Sequence, residues 1–337
     1  MRHSNNEITQ LAQKLSGRRI MVIGDVMLDR YLSGEVNRIS PEAPVPILNH
    51  KQTYECPGGA ANVALNLRSM NNEVFITSMV GDDEEGRALT DLLTKHGIHT
   101  SSILSIQNRT TTTKIRVMAG SQHLLRVDRE VVDDLSEESL NQLLGQTESI
   151  LRMQRVEMII FQDYNKGMLT ERSISAFLDL ARKFNIPTAV DPKFSNFMSY
   201  REVTIFKPNL LELRNSVPFP VPVIERDLQK AATYLREKLA CHTVLITLSD
   251  QGIYVNQPKN SALVPVVKRT IADVCGAGDT VISIAALAWL AELPARDLAY
   301  WASFAGTVTC QYPGVVPVSP EMLQRDSSDN QDQPAHL

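Results

Sequence analysis

Residues 273–280 read Asp-Val-Cys-Gly-Ala-Gly-Asp-Thr, and a mostly apolar run, 281–291, opens directly behind them. That order is a turn feeding a helix N-terminus. A helix start presents unpaired backbone N–H groups and the positive end of the helix dipole, which suits an anion. With no side chains at Gly276 and Gly278, an anion can come close to the backbone of Gly276, Ala277 and Gly278. A carboxylate beside such an anion hole, Asp279, is placed to take a proton from a nucleophile attacking the anion. Anion hole plus base is the chemistry of phosphoryl transfer to a hydroxyl group. The same residues also make an ordinary strand-to-helix turn with an acid in the first helical turn, where acids are favoured anyway. The rest of the chain has to decide between the two.

The elements that would position this motif alternate in type. Residues 19–24 form a short apolar run ending in Gly-Asp, as a buried first strand does. Further β-type runs lie at 74–80, 156–162, 187–191, 203–206 and 243–247. Helical spacing is found at 59–70, 83–96, 136–152, 170–184, 224–240, 277–291 and 295–311. Strands alternating with helices predict a mostly parallel sheet covered on both faces, an α/β fold. Two regions break the alternation. Residues 31–55 combine β-type residues with Pro41, Pro44 and Pro46, and residues 102–128 read as two or three strands. Such strands could form a lid over a ligand, an edge that pairs with a second subunit, or a plain surface meander. The polar tail 325–337 has the composition of a disordered segment.

Composition narrows the class. The 337 residues can bury a large core, and 43% apolar with 21% charged residues is the balance of a soluble globular protein. A net charge of −4 makes no electrostatic case for nucleic acid. Cys56, Cys241, Cys275 and Cys310 are widely separated, which argues against a metal site or a disulfide framework and fits a reducing cytoplasm. The N-terminus lacks the apolar core of a signal peptide, and 281–291 is too short to span a bilayer. No Walker A sequence, Gly-x-Gly-x-x-Gly after the first strand, or His-Glu-x-x-His occurs.

Several polar segments sit just after predicted strands, where open α/β sheets bind ligands. They are Gly24-Asp25 with Asp29, Asp163-Tyr164-Asn165-Lys166-Gly167, Asp191-Pro192-Lys193 and Lys207-Pro208-Asn209-Leu210-Leu211-Glu212. Pro57-Gly58-Gly59-Ala60-Ala61-Asn62 opens a helix, and Asn62 offers both a donor and an acceptor to a polyol. Asn209 and Glu212 could hold Mg²⁺ through water beside nucleotide phosphates. Taken alone, helix capping accounts for the same pair.

These segments together resemble the ribokinase (PfkB) family of carbohydrate kinases from about residue 18 to about 323. Gly58-Gly59-Ala60-Ala61-Asn62 matches one family signature, and Asp273 to Asp279 matches the other. The resemblance implies a three-layer α/β/α sandwich with a mostly parallel sheet and a small β-lid, within one kinase domain over 1–324, usually shared in a homodimer. It implies ATP and Mg²⁺ and allows a monovalent cation. Asp279 becomes the base, with Gly276, Ala277 and Gly278 as the anion hole. Asn209, Leu210, Leu211 and Glu212 match the nucleotide and Mg²⁺ segment, which displaces the capping account. Thr247 and Gly252 match the stretch lining the nucleotide, and Asp29, Gly58, Gly59 and Asn62 match sugar-hydroxyl positions. Two departures stand out: Cys275 where relatives more often carry Ser or Thr, and Ser249 where Gly is common.

Residues 24–31 and 36–46 look like the branch of the family that phosphorylates D-glycero-β-D-manno-heptose 7-phosphate at the anomeric hydroxyl. That reaction serves ADP-heptose and lipopolysaccharide inner-core synthesis. Arg38 and Lys193 are candidates for the 7-phosphate, from charge and placement alone. In bifunctional relatives a nucleotidyltransferase domain follows the kinase. The sequence contains no His-x-Gly-His, so a stand-alone kinase is the expectation. Two alternatives remain: a kinase for another sugar or sugar phosphate such as fructose 1-phosphate, and a non-catalytic sugar-binding regulator of the same fold.

Overall fold

The computed structural model describes residues 5–120 and 122–329. The first strand, β1 (Arg19–Gly24), shows how the sequence builds the layers. Successive side chains of a strand point to opposite faces. Ile20 and Val22 accordingly enter one hydrophobic core, and Met21 and Ile23 the other. A strand apolar on both faces must be covered on both, as in parallel sheets. Helix α1 (Asn5–Lys14) precedes β1 and packs its Ile8 and Leu11 into the first core.

After β1 the chain leaves the main sheet. β2 (Val26–Ile39) and β3 (Pro46–Gly59) form a long antiparallel hairpin, with Pro41 and Pro44 in its connection, where no ladder donor is required. α2 (Ala60–Ser69), β4 (Glu73–Gly81), α3 (Glu84–Lys95) and β5 (His99–Ile106) follow. β6 (Thr113–Ala119) and β7 (Gln122–Arg129) then join the hairpin, giving a second sheet in the order β3-β2-β6-β7. The lid-type region expected over 102–128 is thus divided. Residues 99–106 pair in parallel with β4 at the edge of the main sheet, and only the part from Thr113 onward belongs to the small one.

The second half is regular: α4 (Glu137–Met153), β8 (Met158–Gln162), α5 (Glu171–Lys183), β9 (Thr188–Asp191), β10 (Ile205–Phe206), α6 (Leu210–Ser216) and α7 (Glu225–Leu239). β11 (Thr243–Thr247) is followed by the antiparallel strands β12 (Ile253–Asn256) and β13 (Ser261–Val264). α8 (Ala277–Leu290), α9 (Ala295–Thr309) and α10 (Pro320–Asp329) complete the described chain. The nine-stranded sheet runs β13-β12-β11-β10-β9-β8-β1-β4-β5. Helices α1, α2, α3, α8, α9 and α10 contribute to one core and α4 to α7 to the other, which makes three α/β/α layers. The disordered tail expected from Arg325 is helical as far as Asp329. Asp326 is held there by Arg269 (2.9 Å) and Gln311 (2.7 Å). Residues 330–337 lie outside the described residues. Among the described residues no helix is long and apolar enough to cross a membrane.

β1 lies between β8, reached later in the chain, and β4, reached earlier. That reversal makes a crevice at the carboxyl ends of the strands, the general ligand position in open α/β sheets. Gly24, the last residue of β1, sits opposite Gln162, and a side chain there would collide with the Gln162 carbonyl oxygen. Gly24→Ala should therefore separate β1 from β8 and destabilise the fold by about 3 kcal/mol. The shift of the urea unfolding midpoint measures this, and an unchanged midpoint would contradict the pairing.

Candidate active site

α8 is apolar on every side and lies buried between layers, so its N-terminus is aimed into the crevice. Gly276 caps it in the left-handed conformation (φ 78°) and passes close to Asn62, which a side chain would crowd. One turn on, Asp279 is 3% exposed. Its Oδ2 accepts from Asn62 Nδ2 (2.7 Å), and its Oδ1 from the Tyr164 hydroxyl (2.9 Å) and Gln162 Nε2 (3.2 Å). Burial pushes its carboxyl up to about 7. The Asp191 carboxylate pushes the same way, while the bonds from Asn62 and Tyr164 and the charge of Lys207 restrain the rise. The three N–H groups at the helix start are not equivalent, since that of Ala277 already makes a long bond to the Val274 carbonyl (3.3 Å).

The strand ends supply the rest of the web. Gln162 closes β8 and also donates to Asp191 Oδ2 (3.2 Å), at the end of β9. Lys207, the residue after β10, is buried and pairs with the same oxygen (3.0 Å). Gly278 faces this pair: a Cβ there would lie 3.8 Å from Asp191 Oδ2 and 3.9 Å from Lys207 Nζ. Asn66, one turn after Asn62, accepts from Thr280 (3.0 Å) and the Val318 N–H (2.9 Å) and ties α2 to α8. Sequence reasoning gave no role to Gln162, Tyr164, Asp191, Lys207 or Asn66. For the first four the available signal is their place at or after strand ends. For Asn66 it is the i, i+4 spacing from Asn62.

On the side of the small sheet, Asp29 is buried and paired with Arg116, which β6 brings in from the parallel neighbour of β2. Burial raises the Asp29 carboxyl, against the pull of Arg116. Gly58 packs against Asp29 Oδ2 with no room for a side chain. Gly59 has φ 62° and passes the Asp25 carbonyl, which accepts the first N–H of α2 (2.9 Å). The Asp25 carboxylate accepts from the N–H groups of Tyr164 (2.9 Å), Lys166 (3.1 Å) and Met168 (3.2 Å), and burial raises its carboxyl to about 6. Asp29, Gly58, Gly59 and Asn62 are thus gathered along one wall of the crevice. Arg38 is not. It is exposed near the far end of β2, roughly 30 Å along the strand from Asp29.

Lys193 is also displaced from the place expected of it. Its Nζ pairs with Glu212 Oε1 (3.0 Å) and stands 5.2 Å from the centroid of the Tyr164 ring. It therefore belongs with the Asn209–Glu212 segment, and Arg38 and Lys193 do not converge on one phosphate.

Beyond the start of α8 opens a cavity of about 820 Å³, the size of a small-molecule site. Asn209, Leu210, Leu211, Thr247 and Gly252 line it, together with Ala277 and Gly278. Gly252 has φ 101°, and a side chain there would strike the Val264 carbonyl. The capping arrangement that the resemblance displaced is present: Asn209 Oδ1 accepts from the Glu212 N–H (2.8 Å) and Glu212 Oε2 from the Asn209 N–H (2.9 Å). Capping occupies Oε2, and Oε1 pairs with Lys193, so the two oxygens of Glu212 have different partners. Among the described residues no three His, Cys, Asp or Glu side chains form a metal cluster. Mg²⁺ at a nucleotide needs only one or two carboxylates besides water and phosphate, and Glu212, directly after the cavity-lining residues Asn209, Leu210 and Leu211, fits that requirement.

Comparison with known proteins agrees with this geometry. Residues 18–322 match the profile of the pfkB family carbohydrate kinases. The chain is 36% identical over 326 residues to the bifunctional protein HldE of Hyphomonas neptunium and 37% identical over 292 residues to that of Helicobacter pylori strain G27. These alignments cover 95% and 86% of this chain but only 65% and 62% of the relatives. Among solved structures, phosphofructokinase-2 from Escherichia coli in complex with potassium superposes with a TM-score of 0.75 at 18% identity, covering 94% of this chain and 99% of that one. Arabidopsis thaliana ribokinase complexed with ribose and ATP gives 0.68 at 16% identity, covering 92% and 99%. These two likenesses share the fold seen here, and the profile match over nearly the whole described chain establishes that it belongs to the pfkB family of carbohydrate kinases, as an ATP-dependent sugar kinase.

Proposed function

We propose that the protein transfers the terminal phosphoryl group of ATP to the anomeric hydroxyl of D-glycero-β-D-manno-heptose 7-phosphate, giving the 1,7-bisphosphate. The observation that carries the transfer is the buried Asp279, held by three donors between the sugar wall and the helix start that borders the cavity. The choice of heptose rests on the resemblance of residues 24–46 to that branch of the family. On this reading the two sheets form one kinase domain over 1–324 with the smaller as its lid. The exposed apolar residues Ile39, Val45, Leu125 and Val127 of the small sheet and its hairpin connection suit pairing with a second copy. All four cysteines are free thiols, in keeping with action in a reducing cytoplasm.

The residues divide the work. Asp29, Gly58, Gly59 and Asn62 hold the sugar, and Asp279 receives the proton of the attacking hydroxyl. The sugar oxygen bonds to the phosphorus as the bond to ADP breaks. The N–H groups of Gly276, Ala277 and Gly278 face the charge that develops. Mg²⁺, held through water near Asn209 and Glu212, would neutralise phosphate charge. A carboxyl raised to about 7 is a base matched to neutral pH, at the cost of losing half its ionised population there.

Incubation with ATP and a panel of sugar phosphates tests the substrate. Turnover of the heptose phosphate well above that of fructose 1-phosphate and the rest is expected, and the reverse order would reassign the enzyme within its family. Asp279→Asn should lower kcat by about 10²–10⁴-fold with the fold intact; unchanged kcat would remove Asp279 from the chemistry. The rate should rise with pH through about 7, because the protonated carboxyl cannot accept the proton. Tyr164→Phe and Asn62→Ala each remove a donor to the charged form, so both should move that acidic limb to higher pH. A limb that stays in place or moves down would contradict the hydrogen-bond assignment.

A further inference from the structure

The charges around the start of α8 are poorly matched to an arriving phosphate. Three carboxylates, Asp191, Glu212 and Asp279, are all buried. Of the two ammonium groups among them, Lys207 is only 3% exposed and locked to Asp191. Arg214, Lys268 and Arg269 also line the cavity, but among these three carboxylates a phosphate needs a cation that can turn toward it.

Lys193 has the required freedom. Its side chain is 29% exposed, and among the described residues its hydrogen-bonded partner is Glu212 Oε1 (3.0 Å), although an ammonium carries three donors on a flexible stem. It stands over the Tyr164 ring, and the hydroxyl at the far end of that ring holds Asp279. The ammonium is thus placed between the carboxylate at the cavity and the ring leading to the base. Pro192 restricts the backbone directly before it, and β9 anchors the turn. Burial works against its charge, but the carboxylates of Asp191, Glu212 and Asp279 hold it above the ordinary lysine value.

We propose that Lys193 is a catalytic cation that leaves Glu212 and meets the phosphoryl group during transfer. The bond from the sugar oxygen to phosphorus forms, the bond from phosphorus to the ADP oxygen breaks, and the hydroxyl proton goes to Asp279. Lys193 keeps its own protons throughout. In the structure it is the counter-ion to Glu212, the carboxylate proposed for the metal side. This role rests on the phosphoryl transfer proposed above and replaces the one first given to Lys193, a ligand of the acceptor's own phosphate.

The two roles separate in kinetics. Lys193→Met should lower kcat about 10²–10³-fold, with the KM values for ATP and the sugar phosphate within about threefold of the wild type. Lys193→Arg should recover part of the loss. Calorimetry supplies a readout independent of turnover. ADP with Mg²⁺ should bind wild type and Lys193→Met alike, while the gain in affinity on adding aluminium fluoride, which imitates the phosphoryl group in transfer, should be lost in the variant. A rise of tenfold or more in the KM for the sugar phosphate with kcat intact would overturn the proposal in favour of the acceptor's phosphate. Unchanged kinetics and an unchanged fluoride effect would also overturn it. A wild type that binds ADP yet phosphorylates no sugar would sink the proposed function instead, and the fluoride titration alone would then decide the role of Lys193. Should Lys193→Met fail to fold, Lys193→Gln carries the same comparison.

Discussion

A carboxylate without water around it is costly to ionise, and the arrangement of this protein follows from the need to keep Asp279 both buried and usable. Burial alone would leave it a neutral acid at physiological pH. Three donors from three separate elements oppose that: Asn62 from α2, Gln162 from the end of β8, and Tyr164 from the segment after it. None of the three is charged. They hold the carboxyl near neutrality without neutralising it, as a strong ion pair would. Lys207 is spent on Asp191 and reaches Asp279 only through space. For the base proposed here, which must bind a proton and release it each cycle, this balance serves better than a salt bridge.

The positions of those donors explain why the sheet is wound as it is. At the switch point, the ends of β1 and β8 and the start of α2 come within a few residues of one another. Asp25 secures the junction. Its carbonyl takes the first N–H of α2, and its carboxylate collects three N–H groups of the segment carrying Tyr164. A single residue directly after β1 therefore orients two of the three groups that hold the base. Asp25 itself shows no sign of chemistry; its raised carboxyl reflects the burial that this positioning costs.

Much of this was legible in the chain. The alternation of short apolar runs with helical periods gave the layered sheet, since parallel strands must be apolar on both faces. The Gly-Ala-Gly-Asp turn pointed to the helix start at the crevice and to the buried Asp279. Other features were not legible, for physical reasons. β5 looks like a lid strand because an edge strand is only half covered and reads much like a surface one. Tyr164 and Gln162 are marked only by their place at a strand end, because their partner Asp279 lies on a helix more than a hundred residues later. Arg116 and Asp29 meet only through the parallel pairing of β2 with β6, a long-range contact that no spacing rule encodes. Arg38 stands apart from the crevice for the opposite reason: charge is visible in a sequence, but distance along a strand is not.

The small sheet has one further consequence. Its β2-β3 hairpin is entered from β1 through a single residue, Asp25, and left from β3 directly into α2, with no loop on either side. Asn62 lies on the first turn of that helix. The hairpin is therefore a lever whose short arm ends on the amide bonded to Asp279. The backbone that fixes the end of the hairpin is therefore the same backbone that fixes the amide bonded to Asp279.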